Sequence, residues 1–127
     1  MSKNLPEINK GTISIIGLGY VGLPLAIEFS KTNLSINKKL NKSRKVIGFD
    51  INKKRINELK NFHDKTNESS YEELKSLKNI NFTCDEKELE NAEIFIITVP
   101  TPIDKNKRPD LNPIKNAIEM ISNVLNK

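Results

Sequence analysis

A chain of 127 residues has room for one domain around a single core, and 36% hydrophobic against 29% charged residues exclude wholesale disorder. The formal charge of +5 would suit nucleic acid, an acidic membrane surface or an anionic small molecule, but the basic run at residues 37–45 has no aromatic residue to stack on bases. It reads as a solvated loop, and no nucleic-acid partner is expected. The lone cysteine, Cys84, excludes an internal disulfide and a multi-cysteine metal site, so no metal is expected either.

Residues 1–11 are polar and contain Pro6, the pattern of a loose amino-terminal arm, which leaves residues 12–127 as the folded unit. Thr12-Ile13-Ser14-Ile15-Ile16 is short, β-branched and followed by glycine, predicting a strand buried on both faces. Over residues 20–31, Val21, Leu25 and Phe29 recur every four positions and predict a helix, with Pro24 early enough that its missing N–H does little harm. The apolar stretch at residues 13–27 contains glycines and a proline and is broken by Glu28. It is therefore expected neither to span a membrane nor to act as a signal sequence, and a cytoplasmic location follows.

Residues 45–49 predict a second strand, and Asn52 a cap for a helix that turns Ile56 and Leu59 inward. Ser70-Tyr71-Glu72-Glu73 has the capping-box pattern and opens a short helix over residues 69–77. Residues 80–83 suggest a brief strand, residues 86–91 a helical turn or two, and the apolar residues 93–99 a fully buried strand. After a loop at residues 100–111, Asn112 and Pro113 suit the cap and first position of a last helix. Its apolar stripe is Ile114, Ala117, Ile118, Ile121 and Leu125.

Gly17-Leu18-Gly19-Tyr20-Val21-Gly22 matches G-x-G-x-x-G between a predicted strand and a predicted helix, the context that gives the motif weight. The first glycine permits the tight turn, the second lets a pyrophosphate approach the backbone, and the third lets the helix pack on the strand. Asp50, ending the second strand, is placed to accept bonds from adenosine ribose hydroxyls and to repel a 2′-phosphate, so NAD is preferred over NADP. It lies farther beyond the loop than the ~20 residues commonly seen. An insertion at the basic run, at the opposite end of the sheet from the cofactor, accounts for the excess. The fold class is α/β, a Rossmann-type doubly wound parallel sheet with right-handed crossovers. It is expected to be truncated after the helix following the fourth main strand, leaving a partial NAD-binding domain with one open sheet edge.

Ile16-Gly17-Leu18-Gly19-Tyr20-Val21-Gly22-Leu23-Pro24-Leu25-Ala26, Gly48-Phe49-Asp50-Ile51-Asn52 and Ile97-Thr98-Val99-Pro100-Thr101-Pro102-Ile103-Asp104 together resemble the UDP-glucose/GDP-mannose dehydrogenase family. The proline-threonine-proline loop and Pro109-Asp110-Leu111 are closer to members that oxidise UDP-N-acetylhexosamines. The resemblance implies that Gly17, Leu18, Gly19, Tyr20, Val21 and Gly22 hold the pyrophosphate of NAD and Asp50 its ribose. Arg55 would lie at the adenosine end, with Val99 and Thr101 bordering the cofactor. It also implies that the complete enzyme, a homo-oligomer, oxidises the C6 alcohol of a UDP-sugar to a uronate for polysaccharide biosynthesis. The reaction passes through a thiohemiacetal and thioester on a cysteine, whose position and those of its helpers fall after Lys127. No catalytic residue is therefore assigned within the chain, which is expected to be inactive alone.

Bland readings stand beside these roles. Arg55 also suits a solvated helix surface, Thr101 a residue ordering a proline-rich turn, and Cys84 a small packed side chain. Asp64-Lys65-Thr66-Asn67-Glu68 resembles a family segment that follows the second helix, but Asn61-Phe62-His63 replaces the glycine often found ahead of it, so His63 reads as part of a changed turn. The rival from another functional class is a non-catalytic NAD-binding or regulatory module.

Overall fold

The computed structural model describes residue 5, residues 11–31 and residues 44–125. Apart from Leu5, Gly11, Arg44 and Lys45, the expected amino-terminal arm and the basic run lie outside the described residues. In chain order the described elements are β1 (Ile13–Ile16), α1 (Gly22–Ser30), β2 (Val46–Phe49), α2 (Lys53–Lys60), α3 (Tyr71–Ser76), β3 (Ile80–Thr83), a 3-10 turn (Glu86–Asn91), β4 (Ile94–Ile97) and α4 (Asn112–Leu125).

The four strands form one parallel sheet in the order β3-β2-β1-β4, with Ile13 level with both Val46 and Ile94. Because side chains alternate across a strand, β1, β2 and β4 feed two cores, while β3 adds Ile80 and Phe82 to the first. Ile13, Ile15 and Val46 pack with Leu23, Ala26 and Ile27 of α1, Ile56 and Leu59 of α2 and Leu74 of α3. On the other face Ile16, Ile47 and Phe49 pack with Leu89 of the 3-10 turn and Ala117, Met120 and Ile121 of α4. Each fully buried Ile or Leu contributes about 1.5–3 kcal/mol. The helix-covered parallel sheet is the architecture the sequence predicts.

Three expectations are corrected at the β4 side. The strand at residues 93–99 is shorter and only half buried, with Ile97 36% exposed, because among the described residues β1 is its one neighbour in the sheet. On α4 the buried positions are Ala117, Met120 and Ile121, with Val124 packed beside them, whereas Ile118 and Leu125 are exposed. Each of these two lies one residue, about 100° of rotation, past the buried face. The side-chain bond at the start of α4 also differs: Asn112 is already helical, and its N–H donates to Asp110 Oδ1 at 2.9 Å.

Helix α2 shows the expected cap, with Asn52 Oδ1 accepting from the Lys54 and Arg55 amides at 3.0 and 3.3 Å. At its other end the Phe62 N–H donates to the Leu59 carbonyl and the His63 N–H to the Glu58 carbonyl, while Phe62 takes a left-handed φ of 61°. That conformation is the reason a glycine suits the position. Its cost of about 1–2 kcal/mol for a side-chain-bearing residue is offset in part by the Phe62 ring meeting Tyr71 edge-on at 5.7 Å. His63 is exposed, as befits a turn residue.

Candidate cofactor site

The strand ends are laced together where β1 gives way to the glycine loop. Gly17 N–H donates to the Phe49 carbonyl at 2.8 Å, Asp50 N–H to Thr83 at 3.2 Å and Thr98 N–H to Ile16 at 2.8 Å. This carboxyl edge of a parallel sheet is where such folds take ligands.

The three glycines do different jobs. Gly17 has a φ of +99°, and a Cβ on it would lie 3.0 Å from the Thr98 carbonyl and from Val99 Cα. A Cβ on Gly22 would overlap the Gly17 carbonyl oxygen and crowd the Thr98 hydroxyl. These two positions are closed by packing. A Cβ on Gly19 would meet no protein atom within 4 Å, so the backbone there is open to a ligand. Helix α1 starts at once behind it, and Val21 at its N-cap provides no side-chain acceptor. The Leu23 N–H donates to the Gly19 carbonyl at 3.2 Å and Pro24 has none, so an anion is left the amides ahead of Leu23 and the partial positive charge of the helix start.

Beside the loop, Asp50 Oδ1 accepts from the Asn52 amide at 2.9 Å and Oδ2 from the Leu18 amide at 2.9 Å. Each carboxylate oxygen retains a lone pair for a further donor. Leu18 is also held from its other side, because Arg55 Nε donates to its carbonyl at 2.8 Å. Arg55 is only 8% exposed, so it is no solvated helix residue. Its NH1 stands 2.9 Å from Asp64 Oδ1. The Asp64 carboxylate further accepts from the Thr66 amide and hydroxyl at 3.0 and 2.7 Å, the Glu68 amide at 2.8 Å and the Ser69 amide at 3.0 Å. Burial pushes the Asp64 carboxyl up, but the bonds from Thr66 and Ser69 and the Arg55 guanidinium beside it outweigh that and hold the group below its ordinary 3.8.

Among the residues singled out in the sequence, the structure brings Gly17, Leu18, Gly19, Tyr20, Val21, Gly22 and Asp50 to one edge. Gly19, Tyr20 and Val21 are exposed there, while Leu18 is buried. Val99 backs onto Gly17 and packs against the second core, and Thr101 is exposed beyond Pro100. Sequence reasoning missed Thr98, whose hydroxyl donates to the Gly17 carbonyl at 2.7 Å. The signal was the neighbouring parallel strand, which ends level with Ile16 at Ile97 and so puts the next residue against the loop. It also missed the carboxylate role of Asp64, which no spacing within one element discloses. Cys84 packs against the first core, as its bland reading held.

The sequence profile of the UDP-glucose/GDP-mannose dehydrogenase family, NAD binding domain, matches residues 11–127. The chain belongs to this family. Membership of the UDP-glucose/GDP-mannose dehydrogenase family makes NAD the cofactor of the domain. The chain is 48% identical over 120 residues to the UDP-N-acetyl-D-glucosamine 6-dehydrogenase of Salmonella typhi, covering 94% of this chain and 26% of that relative. It is 46% identical over 113 residues to protein CapL of Staphylococcus aureus, covering 89% of this chain and 24% of CapL. The structure of UDP-D-ManNAc dehydrogenase from Pyrococcus horikoshii superposes with a TM-score of 0.73 at 29% identity, over 89% of this chain and 25% of that one. The chain thus spans about a quarter of the length of these family members. Among the described residues no helix is long and apolar enough to cross a membrane, and no group of three His, Cys, Asp or Glu side chains could hold a metal ion.

Proposed function

We propose that the glycine loop and Asp50 form the NAD site. We further propose that, in a protein of its relatives' length, this domain serves the oxidation of the C6 alcohol of a UDP-hexose or UDP-N-acetylhexosamine to a uronate. The observation that carries the reading is the open backbone at Gly19, set between two closed glycines and beside the Asp50 carboxylate. The pyrophosphate lies over Gly19, Tyr20 and Val21 at the start of α1, and the ribose hydroxyls donate to the free lone pairs of Asp50. Val99 and Thr101 border the cofactor at the end of β4. Arg55 acts from beneath the loop through Leu18.

NAD, when bound, supplies the hydride acceptor. The residues of this chain bind and orient it. No thiol chemistry is assigned to Cys84, which is packed against the core, so the 127 residues by themselves are read as a cofactor-binding unit without turnover. The identity with the Salmonella typhi enzyme supports a UDP-N-acetylhexosamine as the substrate of the complete, homo-oligomeric enzyme. A cytoplasmic place in polysaccharide biosynthesis completes the reading.

Calorimetric titration with NAD and NADP tests it. NAD binds more tightly, and Asp50→Ala weakens NAD and narrows the gap, since the charge that repels a 2′-phosphate is gone. Equal or tighter binding of NADP by the unsubstituted chain would sink the assignment of Asp50.

A further inference from the structure

The segment after α2 reaches the glycine loop through an unbroken series of buried contacts. Asp64, 4% exposed, collects the amides of Thr66, Glu68 and Ser69 and the hydroxyl of Thr66, and so fixes the turn at residues 64–69 around one carboxylate. Its Oδ1 is 2.9 Å from Arg55 NH1, and Arg55 Nε donates to the Leu18 carbonyl at 2.8 Å. Neither NH1 nor NH2 of Arg55 has a hydrogen-bond partner among the described residues, so the contact with Asp64 is an ion pair, and without Asp64 the guanidinium would be a buried charge with no counter-ion among those residues.

The Leu18 carbonyl shares a rigid trans peptide with the Gly19 N–H, so the two lie in one plane and point in opposite directions. Holding the Leu18 oxygen on the Arg55 side therefore turns the Gly19 N–H to the other side. The Leu18 N–H, bonded to Asp50, fixes the preceding peptide. We propose that Asp64 is a positioning residue of the NAD site: acting through Arg55, it sets the Leu18–Gly19 peptide and so aims the Gly19 amide at the pyrophosphate. This inference rests on the reading of the glycine loop as the pyrophosphate site. It gives the segment at residues 64–69 a role in cofactor affinity exerted through Arg55.

The test measures amide hydrogen exchange and NAD affinity on the same samples of the 127-residue chain. Asp64→Asn removes the counter-charge, and Thr66→Val is a milder variant that removes one bond to Asp64 and leaves Arg55 untouched. In Asp64→Asn the Leu18 amide, bonded to Asp50, exchanges faster by about tenfold more than the amide of Ile15 at the sheet centre, and NAD binds about tenfold more weakly, within the range known for residues that touch neither ligand. Thr66→Val shifts both in the same direction and by less. In an Arg55→Met background Asp64→Asn has little further effect on NAD affinity, because the intermediary is gone.

Equal acceleration at Leu18 and Ile15, or unchanged NAD affinity in a folded variant, overturns the proposal and leaves the pair a prop of the fold alone. Should Asp64→Asn fail to fold, the same comparison in Thr66→Val decides. If the unsubstituted chain takes no NAD, the reading of the site falls, while the exchange comparison still decides whether Asp64 positions the loop.

Discussion

The Thr98 hydroxyl donates to the Gly17 carbonyl at 2.7 Å, and that pair walls off the space a side chain at Gly22 would need. The glycine loop is thus built against β4 as much as against its own helix. Gly22→Ala drives a methyl into backbone that has nowhere to move, so it is expected to cost about 3 kcal/mol or more. Gly19→Ala places its methyl in open space and leaves stability within about 1 kcal/mol, yet it fills the approach to the backbone and abolishes NAD binding. Thermal melts and titrations of the two variants separate these effects. A stable Gly22→Ala, or a Gly19→Ala that binds NAD normally, contradicts the division of labour.

Acid should act on the Asp64–Arg55 pair. The Asp64 carboxyl is held below its ordinary 3.8 in the folded chain, so its stabilisation is fully present above that value and is lost as pH falls through the lowered folded value. Breaking such a buried pair costs about 3–5 kcal/mol. Melting temperatures of the unsubstituted chain should therefore fall steeply below the ordinary carboxylate range, while Asp64→Asn starts lower and falls less over the same interval. Parallel curves for the two proteins would show that Asp64 does not carry the acid sensitivity.

How much of this was legible in the sequence depends on the range of the interaction. The strand, glycine loop and helix at residues 13–30, and the caps at Asn52 and Ser70, follow from local pattern, and the structure has them in place. Asp50 could be placed beside the glycine loop because a strand end and its neighbour's loop are fixed by parallel register. Arg55 was harder, since helical spacing alone does not show that its guanidinium turns inward to a carbonyl thirty-seven positions away. The half-burial of β4 and the rotated face of α4 depend on what lies beside them in the sheet, which an apolar run does not reveal.

Ser14 offers a test of the core itself. Its side chain is fully buried in the central strand β1, and its Oγ has no hydrogen-bond partner. A buried hydroxyl left unbonded costs about 1–3 kcal/mol, so Ser14→Ala should raise stability by about 1 kcal/mol without altering NAD affinity. A lower melting temperature for Ser14→Ala would mean that the hydroxyl is satisfied in solution.

The last prediction concerns the exposed edge of the sheet. Among the described residues β4 pairs only with β1, Ile97 is 36% exposed at its end, and Ile118 and Leu125 of the adjoining α4 are each 53% exposed. An apolar edge strand beside apolar helix positions is a template for pairing with another copy. The formal charge of +5 opposes that encounter at low ionic strength. Salt confines charge effects to about 10 Å at 0.1 M and leaves backbone pairing and apolar contact intact. The 127-residue chain should therefore become more oligomeric as salt rises, and light scattering over a salt series measures this. Ile97→Lys, which puts a charge on the edge, should hold the chain monomeric at concentrations where the unsubstituted chain associates. A monomer at every salt concentration would show that the β4 edge does not recruit a second copy, and association unchanged by Ile97→Lys would move the contact to another surface.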